Sequence, residues 1–229
     1  MTTTRLLSKV TLRRDAPIQA LWNTLVPDDT DARTNSTHRL LWTLFADAPI
    51  RERDFLWREE QPGTYFVLSQ RAPLDVHQLF HIDGPREFSP SLVQGENVQF
   101  LLRVNATVSR GGAPGVRGKP SDIVMDAIHG VEKGADRAAA RAAALSGASK
   151  RWLDARAGRD GYEVKELLVR SYDTVRIGRG GGAAPIRFGV LDLEGVLRVE
   201  NPDLLVDAIV RGVGRAKSFG NGLMLIRRP

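Results

Sequence analysis

The residue of this sequence that best suits proton transfer is His38. An imidazole has an unperturbed pKa of about 6.5, so it can accept or donate a proton near neutral pH. His38 precedes Leu41, Leu44 and Phe45, which form one apolar face of a predicted helix, and it lies on another face near the helix start. We therefore expect an exposed, titratable ring. On position alone, a capping or surface histidine is the simpler interpretation.

The chain has three further histidines, and none has comparable support. His77 and His81 are four residues apart, a spacing that could place both on one helix face for a metal ion. No third ligand and no His-Glu-x-x-His motif accompany them. His129 is most simply a helix-end residue, and no Gly-x-Ser-x-Gly motif is present. The sequence therefore predicts no metal site, no cofactor and no Ser-His-Asp hydrolase.

A second candidate for chemistry is the stretch Gly-Val-Gly-Arg-Ala-Lys-Ser-Phe-Gly-Asn-Gly at residues 212–222, which we call the Gly-rich loop. Glycine permits positive φ and lets an anion approach main-chain N–H groups without meeting a Cβ. Arg215 and Lys217 lie inside the loop. The pattern predicts an anion-cradling turn before a final strand, with a phosphodiester as the anion. The alternative is a flexible turn with no ligand.

Several motifs follow one another along the chain in an order that resembles a known family. They are Leu7-Ser-Lys-Val-Thr-Leu12, His38-Arg-Leu-Leu-Trp-Thr-Leu-Phe45, Arg53-Asp-Phe-Leu-Trp-Arg58, Leu102-Arg-Val-Asn-Ala106 and the Gly-rich loop. Together they resemble the CasE family, the CRISPR repeat-processing endoribonucleases of type I-E systems. The resemblance reaches from near the first residue to near the last.

The resemblance implies that His38 is the catalytic histidine, because it falls on the catalytic position of the family motif. Many family members have a tyrosine three residues earlier, where this chain has Asn35. Asparagine can hydrogen-bond a phosphate or orient His38, but it cannot act as a general acid. The partner of His38 stays open between Lys217 as a cation, Ser218 and a tyrosine from elsewhere. The chain has three tyrosines, and the sequence does not choose among them: Tyr65, Tyr162 and Tyr172.

The positive charge of the chain predicts where RNA binds. Residues 103–187 carry 16 Lys and Arg against 9 Asp and Glu. Since the whole chain has a net charge of +6, this region holds all of the excess positive charge. Affinity for nucleic acid comes mainly from neutralised phosphates. Residues 178–184 are predicted to form either the tip of a basic hairpin that could reach an RNA stem or a plain surface loop. The residues expected to contact RNA are basic residues of this region and members of the Gly-rich loop: Arg103, Arg170, Arg176, Arg179, Arg187, Gly212, Gly214, Arg215, Phe219, Gly220 and Gly222.

Composition excludes several other classes of protein. The 229 residues include 42% hydrophobic residues, enough for packed cores, and no cysteine, which excludes disulfide frameworks and cysteine-based metal sites. The sequence has no run of about eighteen apolar residues, and its first residues lack the apolar core and small-residue cleavage site of a signal peptide. We expect a soluble cytoplasmic protein that does not associate with a membrane.

The periodicity of the sequence predicts two similar halves. The first has a strand at 6–12, a helix capped by Asn35, Ser36 or Thr37 and ended by Pro49, strands at 54–58 and 64–69, an irregular or helical piece at 73–80 and a strand at 98–108. The second has a helix at 135–157, strands at 162–177 and 186–199, a helix at 202–211 and a strand at 219–227. This is an α+β chain of two tandem ferredoxin-like βαββαβ units, with domains at 1–108 and 135–229 and a linker at 109–134.

The aromatic residues near His38 predict packing more than stacking on RNA. Trp42 and Phe45 lie on the predicted helix and Trp57 on an adjoining strand, a spacing that favours a shared core.

The resemblance implies an activity in detail. The protein would be a metal-independent endoribonuclease that binds CRISPR precursor RNA and cuts at the 3′ base of the repeat hairpin, leaving a 2′,3′-cyclic phosphate and a 5′-OH. It would remain on the crRNA hairpin and join the other Cascade subunits. Two alternatives stay open: a non-cleaving hairpin-binding subunit, in which Asn35 marks lost catalysis, and a tandem RNA-binding module unrelated to CRISPR.

Overall fold

The chain folds into two compact units, and each is built from three separate segments. The computed structural model describes residues 4–46, 54–109, 118–132, 134, 136–178 and 184–229. The first unit comprises residues 1–90, 175–187 and 216–223, and the second comprises 91–174, 188–215 and 224–229. This division differs from the predicted ranges 1–108 and 135–229, because the chain returns to the first unit twice after residue 90.

The first unit contains a four-stranded antiparallel sheet. Its strands are β1 (Leu6–Leu12), β2 (Phe55–Gln61), β3 (Thr64–Ser69) and β4 (Phe80–Glu87), in the order β2-β3-β1-β4. In β1, Ser8, Val10 and Leu12 alternate as buried residues, and Val10 pairs with Tyr65 of β3. This strand order is that of a ferredoxin-like unit.

The fourth strand of this sheet was predicted in the wrong place. β4 has the sequence Phe-His-Ile-Asp-Gly-Pro-Arg-Glu and is largely exposed, so it lacks the apolar alternation that identifies a half-buried strand. Its pairing with β1 defines it instead. The strand predicted at 98–108 belongs to the second unit. Residues 70–79, between β3 and β4, contain no helix or strand, as the irregular alternative allowed.

The helices of the first unit are α1 (Ala16–Ala20), α2 (Trp22–Leu25) and α3 (Thr30–Trp42), and a short 3-10 turn at Thr43–Phe45 follows α3. Asp29 caps α3, because its carboxylate accepts a hydrogen bond of 2.8 Å from the main-chain N–H of Ala32. The prediction of a cap at Asn35, Ser36 or Thr37 was therefore wrong. His38 lies in the third turn of α3 and not near its start. Pro49 lies outside the described residues.

The core of the first unit confirms the predicted apolar face. Leu41, Leu44 and Phe45 are at most 1% exposed, and they belong to the same buried cluster as Trp57 and Tyr65. Burial of large aliphatic and aromatic side chains is the main favourable term in folding, so this cluster fixes α3 against the sheet.

The second unit repeats the ferredoxin-like order. Its elements are β5 (Asn97–Val104), a hairpin of β6 (Thr107–Ser109) and β7 (Pro120–Asp122), α4 (Ile123–Ala127), α5 (Asp136–Asp160), β8 (Tyr162–Ile177), β9 (Ile186–Val199), α6 (Pro202–Arg211) and β10 (Met224–Arg227). The main sheet has the order β10-β5-β9-β8, and the parts of β8 and β9 within 175–187 belong to the first unit. The predicted α+β class with tandem ferredoxin-like units is confirmed.

None of the described helices is long and apolar enough to cross a membrane.

Candidate active site

His38 is presented by the third turn of α3, beside an aromatic residue one turn later. Its side chain is half-buried, and its Nδ1 atom is inaccessible to solvent. The ring of Trp42 meets the imidazole edge-on, with centroids 6.3 Å apart and an interplanar angle of 89°. Residues four apart lie on one helix face, which accounts for this contact. Because Nδ1 is shielded from solvent, Nε2 is the ring nitrogen that we expect to meet a ligand.

A ring from the Gly-rich loop also packs against the imidazole. The centroids of His38 and Phe219 are 5.3 Å apart, with an interplanar angle of 48°. Phe219 closes a short 3-10 turn, Lys217–Phe219, which we call the Lys217 turn. The fold therefore brings together three predicted catalytic residues from opposite ends of the chain, since the turn that contacts His38 also carries Lys217 and Ser218.

The Lys217 turn is closed by hydrogen bonds within the loop. The main-chain N–H of Phe219 donates to the carbonyl of Ala216 at 2.9 Å. The side-chain amide of the buried Asn221 donates to the carbonyls of Ala216 (3.2 Å) and Phe219 (3.0 Å). Ala216 itself has φ of 51°, in the left-handed region that favours glycine. Sequence reasoning did not single out Asn221, although asparagine is a characteristic turn residue.

Trp57 holds the same turn from the sheet. Its indole N–H donates to the carbonyl of Ser218 at 3.2 Å. Gly220 has φ of +73°, and a Cβ at this position would lie 2.7 Å from Cζ3 of Trp57. A side chain at 220 would therefore need both an unfavourable backbone conformation and a displaced indole.

The other glycines of the loop also have structural roles. All four have positive φ, as predicted. Gly212 ends α6, and its N–H donates to the carbonyls of Ala208 and Ile209. At Gly214, a Cβ would lie 2.4 Å from Cγ2 of Val104. Since Gly212, Gly220 and Gly222 are buried, direct contact between these glycines and RNA stays a prediction.

The basic residue that precedes the Lys217 turn belongs to the second unit. The main-chain N–H of Arg215 donates to the carbonyl of Asn105 at 3.1 Å, and the residue is exposed. Lys217 is half-buried. These two cations remain the loop residues best suited to meet a phosphate.

Two of the three tyrosines are buried, which answers a question that the sequence left open. Tyr65 is fully buried, and its hydroxyl is 3.2 Å from Oγ1 of Thr37; burial raises the pKa of Tyr65 to about 12. Tyr162 is also buried, its hydroxyl donates to the carbonyl of Leu153 at 3.1 Å, and burial raises its pKa. Neither hydroxyl can reach a bound substrate in this conformation.

The third tyrosine belongs to the second unit. The hydroxyl of Tyr172 donates to Oδ1 of Asp122 at 3.0 Å. Among the alternatives for a partner of His38, Lys217 and Ser218 are the ones whose turn contacts the histidine. Asn35 is half-buried one helical turn before His38, and the spacing of three places both on the same side of α3.

Two of the basic residues predicted to bind RNA form ion pairs within the protein. Arg103 pairs with Asp192 across β5 and β9, and both are partly buried. Arg170 pairs with Glu194 at 3.1 Å. Such pairs would have to share or release their carboxylates before the arginines could neutralise a phosphate.

The basic residues at the C-terminal end of β8 and the N-terminal end of β9 are more open. Arg176 and Arg187 are exposed, and Arg179 lies outside the described residues. The main-chain N–H of Arg176 donates to Oδ1 of Asp31 at 2.8 Å, so the hairpin end of β8 is held by the first turn of α3. Sequence reasoning missed this contact, because nothing in the local pattern links residues so far apart.

Two of the other histidines lie on or just before β4. His81 lies on β4 opposite Thr11, and His77 lies in the irregular segment before β4, so the two do not share a helix face. In the part of the chain that the structure describes, no group of three acidic or histidine side chains is arranged to hold a metal ion.

Comparisons with known proteins give consistent matches along nearly the whole chain. The model of a family described as CRISPR associated protein matches residues 6–228. The Cascade subunit CasE of Escherichia coli K12 is 26% identical over 196 residues, which cover 82% of this chain and 88% of that protein. Among solved structures, Thermus thermophilus Cse3 bound to an RNA that represents a pre-cleavage complex has a TM-score of 0.65 at 22% identity, covering 98% of this chain and 99% of that one. Cas6e from E. coli K-12 has a TM-score of 0.59 at 22% identity, with 98% and 100% covered. At these identities, the structural likeness supports the fold.

Proposed function

Because the chain belongs to the family of CRISPR associated proteins, we propose that it is an endoribonuclease that binds CRISPR repeat hairpins in precursor RNA and cuts at the 3′ base of the hairpin. The observation that carries the proposal is the contact between His38 and Phe219, which places the Lys217 turn against the histidine. A proton-transfer group and a cation-bearing turn are the parts that cleavage of a phosphodiester needs.

The proposed reaction uses the RNA's own 2′-OH as the nucleophile. The 2′-oxygen attacks the adjacent phosphorus, the bond from phosphorus to the 5′-oxygen breaks, and the products are a 2′,3′-cyclic phosphate and a 5′-OH. His38 acts through Nε2, either as the base that takes the 2′-OH proton or as the acid that protonates the departing 5′-oxygen, and water exchanges the other proton. Such transfer typically contributes about 10² to 10⁴ in rate. No metal-bound water is required, and we propose a metal-independent reaction.

Lys217 is the residue proposed to stabilise the charge that develops on the phosphorane oxygens. Ser218 and Asn35 are proposed to hydrogen-bond the phosphate or to orient His38. In-line placement of the 2′-oxygen and the leaving oxygen would supply part of the acceleration without any further side chain.

The RNA stem is proposed to lie along the basic part of the chain. Arg176 and Arg187 are exposed at the end of β8 and the start of β9, and A-form stems are recognised mainly through shape and phosphates. The E. coli relative is a Cascade subunit. By analogy, we propose that this protein stays bound to its crRNA product in the cytoplasm and joins the other Cascade subunits.

The second candidate function is that of a hairpin-binding subunit that does not cut. Asn35 favours it, because this residue replaces the tyrosine of many family members and cannot act as a general acid. The burial of Tyr65 and Tyr162 adds to the case, since neither can take over the role in this conformation.

The test is cleavage of a labelled repeat RNA in EDTA, with chemical identification of the product ends. We expect a 2′,3′-cyclic phosphate and a 5′-OH at one site at the 3′ base of the hairpin. Tight binding without cleavage, with or without added metal, would establish the non-cleaving subunit. Equal binding to unrelated stems of the same length would instead favour a general RNA-binding module.

A further inference from the structure

We infer that Trp57 is a positioning residue that sets the Lys217 turn against His38. This inference rests on the proposed function. Trp57 lies on β2 and is 3% exposed, so it does not itself meet the RNA. Its burial confirms the sequence prediction that it is a core residue. Its contacts indicate a role in addition to packing.

Two contacts join the indole of Trp57 to the main chain of the Gly-rich loop. The N–H donates to the carbonyl of Ser218 at 3.2 Å, a directional bond to the centre of the Lys217 turn. The ring face lies so close to Gly220 that a Cβ there would be 2.7 Å from Cζ3 and 2.8 Å from Cη2. The hydrogen bond to Ser218 and the close packing against Gly220 together fix the distance of the turn from the indole and its orientation.

The other side of the indole is connected to the helix that carries the histidine. Trp57 meets Tyr65 edge-on, with centroids 5.9 Å apart and an interplanar angle of 87°. The hydroxyl of Tyr65 is 3.2 Å from Oγ1 of Thr37, the residue before His38. The buried Trp57–Tyr65 pair therefore contacts both segments that carry the proposed catalytic residues.

This arrangement would matter for rate because catalysis depends on sub-ångström placement. A displacement of about 1 Å can cost about 10²-fold in rate. Moving the Lys217 turn would displace Lys217 relative to the phosphate and Phe219 relative to the imidazole. A core tryptophan with a purely packing role would affect stability but not the rate of the bound, folded enzyme.

The chain offers a matched control in Trp152 of the second unit. Trp152 is also 3% exposed, and its indole N–H donates to the carbonyl of Thr107 at 3.1 Å. Trp57→Phe and Trp152→Phe therefore remove the same indole and the same kind of hydrogen bond. The two variants differ in the segment that the indole holds, and Trp152→Phe also changes the ring beneath the Arg156 guanidinium, which lies 3.7 Å from the indole centroid.

The experiment compares the two variants by single-turnover cleavage with saturating enzyme, RNA binding affinity and thermal unfolding. We expect Trp57→Phe to lower the cleavage rate by about 10- to 100-fold, with Kd changed by less than about 3-fold. Trp152→Phe should lower Tm by a similar amount and leave the cleavage rate unaltered. A wild-type rate in Trp57→Phe, or an equal loss of rate in both variants, would overturn the inference.

A coupling test combines substitutions at Gly220 and Trp57. Gly220→Ala should slow cleavage in the wild-type background, where the new Cβ meets the indole. The same substitution should cost at least about 3-fold less in the Trp57→Phe background, because the smaller ring leaves room. Equal costs in the two backgrounds would contradict a direct Trp57–Gly220 fit.

A readout without RNA separates this inference from the proposed function. Hydrogen exchange of the peptide 216–222 should become faster in Trp57→Phe and stay unchanged in Trp152→Phe. If wild type cuts no RNA, the proposed function fails, and the exchange rates still decide whether Trp57 holds the turn. Unchanged exchange in Trp57→Phe would overturn that role.

Discussion

The imidazole of His38 lies against the phenyl ring of Phe219, with their centroids 5.3 Å apart. The two residues come from a helix near the start of the chain and a turn near its end. A tilted aromatic contact of this kind contributes about 0.5–1.5 kcal/mol beyond burial. It also limits the rotation of the imidazole, so Phe219 helps to determine where Nε2 points.

Phe219→Leu should lower the single-turnover cleavage rate by about 10-fold, because the imidazole loses the flat surface that orients it. Phe66→Leu is the control, since Phe66 neighbours Tyr65 on β3 and points to the opposite face of the sheet. Wild-type cleavage by Phe219→Leu at saturating enzyme would show that the ring contact has no part in the reaction.

Lys217→Ala should lower the cleavage rate by at least about 10-fold, because the charge of the phosphorane loses its cation. Lys217→Arg should retain more activity, since it keeps the positive charge. Rates and RNA affinities are measured for both variants at one ionic strength. If Lys217→Ala changes neither value, the Gly-rich loop is not part of the mechanism.

Charge reversal at Arg176 and Arg187 should weaken binding of the RNA stem and reduce the dependence of log K on log salt by about one to two units. Arg86→Glu is the control, because Arg86 is 79% exposed on β4 and its charge is opposed by Asp83. Affinity is measured across a salt series. An unaltered slope in the double variant would show that the hairpin does not meet phosphates.

Stability should fall at high pH because of Tyr65. Its pKa is raised from 10.0 to about 12 by burial, so the folded state holds this proton more tightly than the unfolded state does. The contribution of the protonated Tyr65 to the free energy of unfolding is complete below pH 10, and it is lost as the pH rises from 10 towards 12. Tyr65→Phe should therefore show a shallower decline in the free energy of unfolding over this range. Parallel curves for wild type and Tyr65→Phe would contradict this assignment.

The hydrophobic pattern of the sequence was sufficient to predict much of the fold. The resemblance to the CasE family is confirmed, and α6, β8 and β9 lie at the predicted positions because each has a strong local pattern. β4 was missed because it is polar and exposed, and only its pairing with β1 makes it a strand. That omission led to the assignment of β5 to the wrong unit.

The sequence predicted those parts of the candidate site that lie within recognisable motifs. His38 and the Gly-rich loop were singled out from residue types and spacing, and the fold brings them into contact. The roles of Trp57 and Asn221 depend on contacts made only in the folded chain. The burial of Tyr65 likewise depends on the packing of α3 against the sheet, which local periodicity does not encode.

The most direct test of the account compares wild type, His38→Ala and His81→Ala in EDTA on a repeat RNA, with a second RNA that carries a 2′-deoxy substitution at the cut site. His81 is exposed on β4 and serves as the matched control. All three proteins should bind the RNA with similar affinity. Wild type and His81→Ala should cut only the RNA with the 2′-OH, and His38→Ala should be slower by about 10² or more. Cleavage by His38→Ala at the wild-type rate, or cleavage of the deoxy RNA, would contradict the central claim.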